Sequence, residues 1–285
     1  HRPAAISAVE AAGSGQRSLE HARLFLYEAF TGADELRGRQ LARLRGEETG
    51  GGRLIDTAMR RRMIDDFDPA RFDAITAAMV ENDVAFCPTH LTRKMDAFAD
   101  DPDYRSDPRL RYIHFVMRYF WDDDADGMVE VDPTPEGRRV FKDFYRRGLE
   151  LTDRAHRAGV TILAGTDAND TYVFPGFSLH DELAELVKAG LAPAEALRAS
   201  TVDAAAFFEL DDELGRVDAG YRADLVLLGG NPLDDIRATS TIEAVVLGGA
   251  YYDRPALDEL LHGVERASSS VRLMLKNLLD MALED

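Results

Sequence analysis

Four side chains in this sequence have the right types and placement for bond-breaking chemistry: His21, His90, Asp167 and His180. Asp167 follows Val160 to Ala164, an apolar run rich in β-branched residues and bounded by Gly159 and Gly165, which reads as a buried strand. A carboxylate just past the carboxyl end of a strand, in a chain alternating strands with helices, sits where α/β barrels keep their chemistry. Gly165-Thr166-Asp167 alone reads more readily as a turn or helix cap, and it is the company of the other candidates that weighs against this. His21 ends a short strand, Arg17 to Glu20, and His90 ends another, Val84 to Cys87. His180 follows Ser178, which reads as a helix cap with Asp181 three residues on.

Neutral imidazoles and a carboxylate together suit a Zn²⁺-like ion, which lowers the pKa of bound water from 15.7 toward ~7 and polarises a carbonyl under attack. A carboxylate that also touches the water can move its proton to a leaving amine. Each candidate has a plainer reading. His21 can be a satisfied histidine without metal, His90 a loop cap and His180 a polar residue of a first helical turn.

The elements that would position these groups follow the same alternation. Asp68 and Pro69 start a helix with Phe72, Ile75 and Met79 at helical spacing, and the strand at Val84 comes next. Residues 28 to 66 read as helix, loop and helix around a run of three glycines. An Asp-rich insertion, 91 to 134, follows the strand that ends at His90 and is a candidate lid or substrate wall. His114 lies in it as a partly buried helix residue, and the helix from Pro135 to Ala158 carries His156 on its surface. Leu179, Leu183, Leu186 and Val187 form the buried stripe of the helix after Asp167, and Ala204 to Ala206 a turn. From Leu214 the texture changes to short strands, at Gly215 to Val217, Ala223 to Leu228, Ile242 to Leu247 and Tyr251 to Tyr252. Residues 254 to 285 read as an appended helix with Leu257, Leu260, Leu261 and Val264 on its apolar side.

His1, Leu19-Glu20-His21, Gly165-Thr166-Asp167-Ala168, Leu179-His180-Asp181-Glu182-Leu183, Gly220 to Val226 and Asn231-Pro232-Leu233 occur in this order. Together they resemble the amidohydrolase superfamily, in its imidazolonepropionase- and prolidase-like branch. The resemblance implies an α/β fold: the second half of a (β/α)8 TIM-type barrel, then part of a small β-sandwich and a C-terminal helix. Residues 1–210 would be the barrel half, 211–253 the sandwich portion and 254–285 the helical extension. It further implies a divalent metal, zinc, as one or two ions. His1, His21 and Asp167 are the implied ligands, Asp167 is the implied catalytic base, and His90 and His180 stand near substrate. The superfamily's first-strand His-x-His pair and fourth-strand lysine have no match, so the chain resembles the carboxyl-terminal half of a hydrolase of amide or related C–N bonds. Such a half is expected to be inactive and poorly soluble alone, its open sheet edges relieved by a homo-oligomer or by aggregation.

A non-catalytic half and a deaminase remain as alternatives, although Glu10 sits poorly for the deaminase's extra acid. A copper site on the free amine of His1 needs a mature amino terminus there, and the α/β pattern argues against it.

Composition limits the partners. The chain has 285 residues, 45% hydrophobic and 30% charged, with a formal charge of −18. That charge argues against nucleic acid, and the one dense basic run, Arg60 to Arg62, is followed by Asp65 and Asp66. No run approaches the ~18 apolar residues of a membrane span. The expected partner is a small-molecule substrate. A single cysteine, Cys87, excludes an internal disulfide and reads as a small buried residue. Localisation stays open, with the cytoplasm slightly favoured.

Overall fold

The computed structural model describes residues 5–48 and 52–271. Residues 1–4 with His1, residues 49–51 and residues 272–285, with the part of the expected C-terminal helix that falls there, lie outside the described residues.

The chain is a mixed α/β structure. It opens with α1 (Ala8–Gly13), β1 (Ser18–Glu20), α2 (Arg23–Glu28), α3 (Ala33–Leu44), α4 (Thr57–Asp65) and α5 (Pro69–Glu81). Then come β2 (Ala85–Cys87), α6 (His90–Phe98), α7 (Pro102–Arg105), a 3₁₀ turn (Pro108–Tyr112), α8 (Phe115–Glu130) and α9 (Pro135–Arg157). After the Asp167 loop follow α10 (Ser178–Ala189), α11 (Pro193–Ser200), α12 (Val202–Phe207), β3 (Leu225–Leu228), β4 (Ile242–Leu247), β5 (Ala250–Asp253) and α13 (Arg254–Ser268).

Three parallel segments order the part that carries the candidate site. β1 pairs with β2 in the register Leu19 to Phe86, and Phe86 bridges in parallel to Ile162 on its other side. Around them close Leu19, Phe25, Phe72, Phe86, Leu151, Ile162 and Leu186, all 4% exposed or less. Phe25 packs against Phe86 and Phe72 with ring centroids 4.8 and 4.9 Å apart. The Phe86 bridge holds only the middle of the run from Val160 to Ala164, and Ala164 donates its N–H to Ala199 instead.

Sequence determines the helix starts through local capping. Asp68 accepts the N–H groups of Ala70 and Arg71, and Pro69 stands at N1 where its missing N–H costs nothing. Thr134 likewise caps α9, whose stripe Val140, Phe141, Phe144, Leu151 and Ala155 is buried. Gly148 in that helix leaves room for Ala22, since a Cβ there would lie 3.3 Å from the Ala22 Cβ.

Several expectations change. Ser178 is not the cap of α10, because its Oγ accepts the Phe174 N–H and Phe177 takes the cap position. Leu179 is 36% exposed, and the inward face carries Ser178, Glu182, Leu183, Glu185, Leu186 and Ala189. His114 caps α8 rather than lying within it, and His156 pairs with Glu195 at 3.2 Å. Ala204 to Ala206 lie inside α12. No strand forms at Gly215 to Val217: Gly215, at φ 89°, packs so close to the start of α12 that an added Cβ would fall 3.0 Å from Thr201, Val202 and Ala205, and Val217 is 87% exposed. The remaining three strands form an antiparallel sheet in the order β3-β4-β5. Leu260 and Val264 of α13 stay exposed.

Candidate functional site

The parallel register brings the ends of three segments to one edge. His21 continues β1, its N–H donating to the Cys87 carbonyl at 2.9 Å, and Ala22 donates to Pro88 at 2.6 Å. Thr89 and His90 continue β2. Phe86 donates to Thr161 and accepts from Leu163, so the segment leading to Asp167 lies on the opposite flank of β2 from β1.

His21, Thr89 and Asp167 thereby become neighbours. His21 Nδ1 lies 2.9 Å from Thr89 Oγ1 and 3.7 Å from Asp167 Oδ2. All three have left-handed backbones, with φ of 72°, 44° and 58°. That region is uncommon for non-glycine residues, and a β-branched threonine there is an outlier. Such strain persists where surrounding structure fixes it, and it gathers at functional sites. The Asp167 turn is closed by the Asp170 N–H, which donates to the Asp167 carbonyl at 2.8 Å.

Electrostatics favour a neutral His21. Burial lowers its pKa, the Arg23 and Arg93 charges lower it further, and Asp167 and Glu20 oppose them. The Asp167 side chain is 44% exposed and open to a ligand. Cys87 lies beside the segment before Asp167, but burial pushes its thiol up to about 12, too high for a nucleophile at neutral pH.

The other two expected residues are placed differently. His90 is 0% exposed; its ring nitrogens have no partner, and burial lowers its pKa to about 4. A ring enclosed in this way cannot touch substrate. His180 is half-buried on the first turn of α10, its pKa lowered by burial, with an unpartnered buried Nδ1. His1 lies outside the described residues.

The insertion at 91 to 134 is a packed wall against the Asp167 loop. Trp121 of α8 meets Tyr172 and Phe174 with ring centroids 5.6 and 5.4 Å apart. Thr171 bonds Asp124 at 2.7 Å, Tyr172 bonds Asp122 at 2.5 Å, and Arg109 reaches Asp181 of α10. Below it Arg93 pairs with Asp96, whose pKa burial raises.

Sequence reasoning passed over Thr89 and Glu182. Glu182 is 0% exposed and accepts the N–H groups of His90 and Leu91 at 2.8 and 3.1 Å. Its signal was its spacing, four residues after Ser178 and four before Leu186 on the buried face. Thr89 had only its place beside His90.

His21 and Asp167 suit a divalent ion of the zinc type in chemistry: a neutral imidazole and a carboxylate, with the imidazole oriented by a hydroxyl. Two donors fall short of the three or four protein ligands such a site takes, and among the described residues no three His, Cys, Asp or Glu converge on one point.

Residues 128–251, which include Asp167, match the amidohydrolase family. A stretch of 76 residues, 25% of this chain, is 42% identical to imidazolonepropionase from Rubrobacter xylanophilus, of which it covers 17%. A stretch of 142 residues, 46% of the chain, is 30% identical to ochratoxinase from Aspergillus niger, covering 28% of it. A solved bottromycin amidohydrolase superposes on 94% of this chain and 52% of its own length, with a TM-score of 0.61 and 22% identity, a likeness of fold. The chain thus spans less than a third of these curated relatives and about half of that structure. Over residues 128–251 the chain thus carries a match to the amidohydrolase family, and its similarity to imidazolonepropionase points the same way.

Proposed function

We propose that the protein containing this chain is a metal-dependent hydrolase of a small-molecule amide or related C–N bond. The observation that carries this is the meeting of His21, Thr89 and Asp167 at the carboxyl ends of adjacent parallel segments. A carboxyl-end edge is where α/β barrels place their active sites. The three parallel segments are then part of a barrel whose other strands lie outside them.

His21 and Asp167 would hold the ion, with His1 as the third ligand the family resemblance supplies. When bound, a zinc-type ion supplies a water nucleophile at neutral pH and polarisation of the scissile carbonyl. Asp167, half-exposed and fixed by its closed turn, takes the proton of the attacking water and returns it to the leaving amine. His21 stays neutral and keeps a ring nitrogen lone pair for the ion, while the Thr89 hydroxyl sets the angle of the ring. The wall of α8 and the loop at Thr171 to Phe174 bounds the space above Asp167.

The test is chelation of the complete protein followed by assay on a panel of N-acyl amino acids. Turnover should vanish with the metal and return with Zn²⁺, Mn²⁺ or Co²⁺. Full turnover in a sample that elemental analysis finds metal-free would overturn the proposal.

A further inference from the structure

α6 starts at His90, and its first N–H groups need acceptors from outside the helix. Thr89 stands in the cap position and is a residue type that ordinarily supplies such an acceptor through its own hydroxyl. Here it makes no cap bond. Its backbone is left-handed, at φ 44° and ψ 55°, and its Oγ1 is turned to His21 Nδ1 at 2.9 Å. Asn, Asp or Gly would take that conformation at less cost, so a threonine there is explained by what its hydroxyl does.

The missing acceptors come from α10. Glu182 reaches across with both oxygens, Oε1 to the His90 N–H and Oε2 to the Leu91 N–H. The side chain is fully buried, and these bonds lie in a site shielded from water. The Thr92 hydroxyl donates to the Thr89 carbonyl at 3.0 Å and pins the turn from the other side. A hydroxyl that would cap a helix has been released to a histidine, and a distant carboxylate has taken over the cap.

We propose that Glu182 is a positioning residue of the hydrolytic site, holding the Thr89 turn so that the Thr89 hydroxyl orients His21. This rests on the reading of His21 as a metal ligand. A residue that served only the stability of α6 would leave the state of the His21 ring unaffected.

The experiment uses the full-length protein, stripped of metal, as wild type, Glu182→Gln, Thr89→Val and the double variant. Three quantities are measured: the unfolding midpoint, the Zn²⁺ dissociation constant by competition with a chromophoric chelator, and the ¹⁵N resonances of the His21 ring before zinc is added. Each single variant should weaken zinc binding about 10–100-fold, the usual effect of losing a group that orients a ligand. Each should also shift the His21 resonances in the same direction. The double variant should bind zinc no more weakly than the weaker single variant, because both act through one hydrogen bond. Glu185→Gln, on the same helix as Glu182, weakens the bonds from Lys94 of α6 and Tyr145 of α9 and should lower the midpoint while leaving both His21 readouts unchanged.

Additive losses of zinc affinity in the double variant, or wild-type affinity and His21 resonances in Glu182→Gln, would overturn the proposal. Should Glu182→Gln not fold, Glu182→Asp, which keeps a buried acid one methylene short, decides by the same readouts. His21 resonances that follow Glu182 in a protein binding no zinc would sink the metal reading and keep the positioning role. Zinc binding with resonances indifferent to Glu182 would do the reverse.

Discussion

Gly165 stands two residues before Asp167, on the segment that flanks β2, and Cys87 faces it. A Cβ added at Gly165 would fall 2.4 Å from Cys87 Sγ, and apart from the adjoining residues no other atom lies within 4 Å of it. Ordinary contact between such atoms is about 3.5–4.0 Å, so the overlap exceeds 1 Å. Gly165 does not have a left-handed backbone, so the obstacle to alanine is space rather than conformation. Two movements relieve it. Cys87 can leave its rotamer at about 0.5–1.5 kcal/mol, or the segment can move away from β2 and carry Asp167 with it. Overpacking of this kind costs about 1–3 kcal/mol.

Gly165→Ala should therefore destabilise the protein by about that amount and lower turnover as well. Cys87→Ala removes the obstructing sulfur. In that background Gly165→Ala should be near neutral, or stabilising by about 0.4–1 kcal/mol through the stiffer unfolded chain. Urea unfolding of the four proteins gives a coupling energy, expected at about 1–3 kcal/mol in favour of the double variant. Turnover should recover with it. Equal costs for Gly165→Ala in both backgrounds would refute the packing argument and free the position of Asp167 from the Cys87 contact.

Asp167→Asn should keep the fold and cut turnover by about 10²–10⁴, the range for loss of a general base; near-normal turnover would assign Asp167 to a turn. His21→Ala should lower the bound metal per chain in elemental analysis, and an unchanged stoichiometry would remove His21 from the ligand set. Burial holds Glu182 protonated up to about 8 and His90 unprotonated down to about 4. The Glu182 contribution is complete below its unfolded value of about 4.5 and is lost as pH rises through 8, whereas that of His90 is complete above about 6.5 and is lost as pH falls through 4. The two oppose each other below about 6.5, so urea titrations should show stability falling from about pH 6.5 to 8, and Glu182→Gln should flatten that fall.

The sequence was readable wherever the signal was local. Asp68-Pro69 and Thr134-Pro135 start helices as their types require, and the stripe from Val140 to Ala155 faces inward. Asp167 stood out as a candidate because the apolar run from Val160 to Ala164 precedes it, whereas His21, after Arg17 to Glu20, stood out through the family resemblance. What failed depended on tertiary neighbours. Ser178 has the composition of a cap, yet the Phe174 N–H occupies its hydroxyl. Gly215 to Val217 has the composition of a strand, yet α12 presses on its glycine. His90 has the address of a substrate ligand, yet the chain closes over its ring.

The left-handed backbone of Thr89 could not be read from residue type, and the Asp and His types at 167 and 21 enter that region more readily than most without requiring it. Each costs of order 1–3 kcal/mol and needs a partner that holds it. The Cys87 carbonyl fixes the His21 N–H, the Asp170 N–H closes the Asp167 turn, and Glu182 with Thr92 secures Thr89. Two of the three sets of partners, at Cys87 and at Glu182 and Thr92, are on or beside β2 and α6. β2 is also the segment that pairs with both flanks. A disturbance of β2 should therefore reach all three side chains, whereas one in β3 to β5 should reach none. The exposed sheet β3-β4-β5 can then vary in sequence at little cost to the site, while a single methyl group at Gly165 must displace either the Cys87 side chain or the segment that carries Asp167.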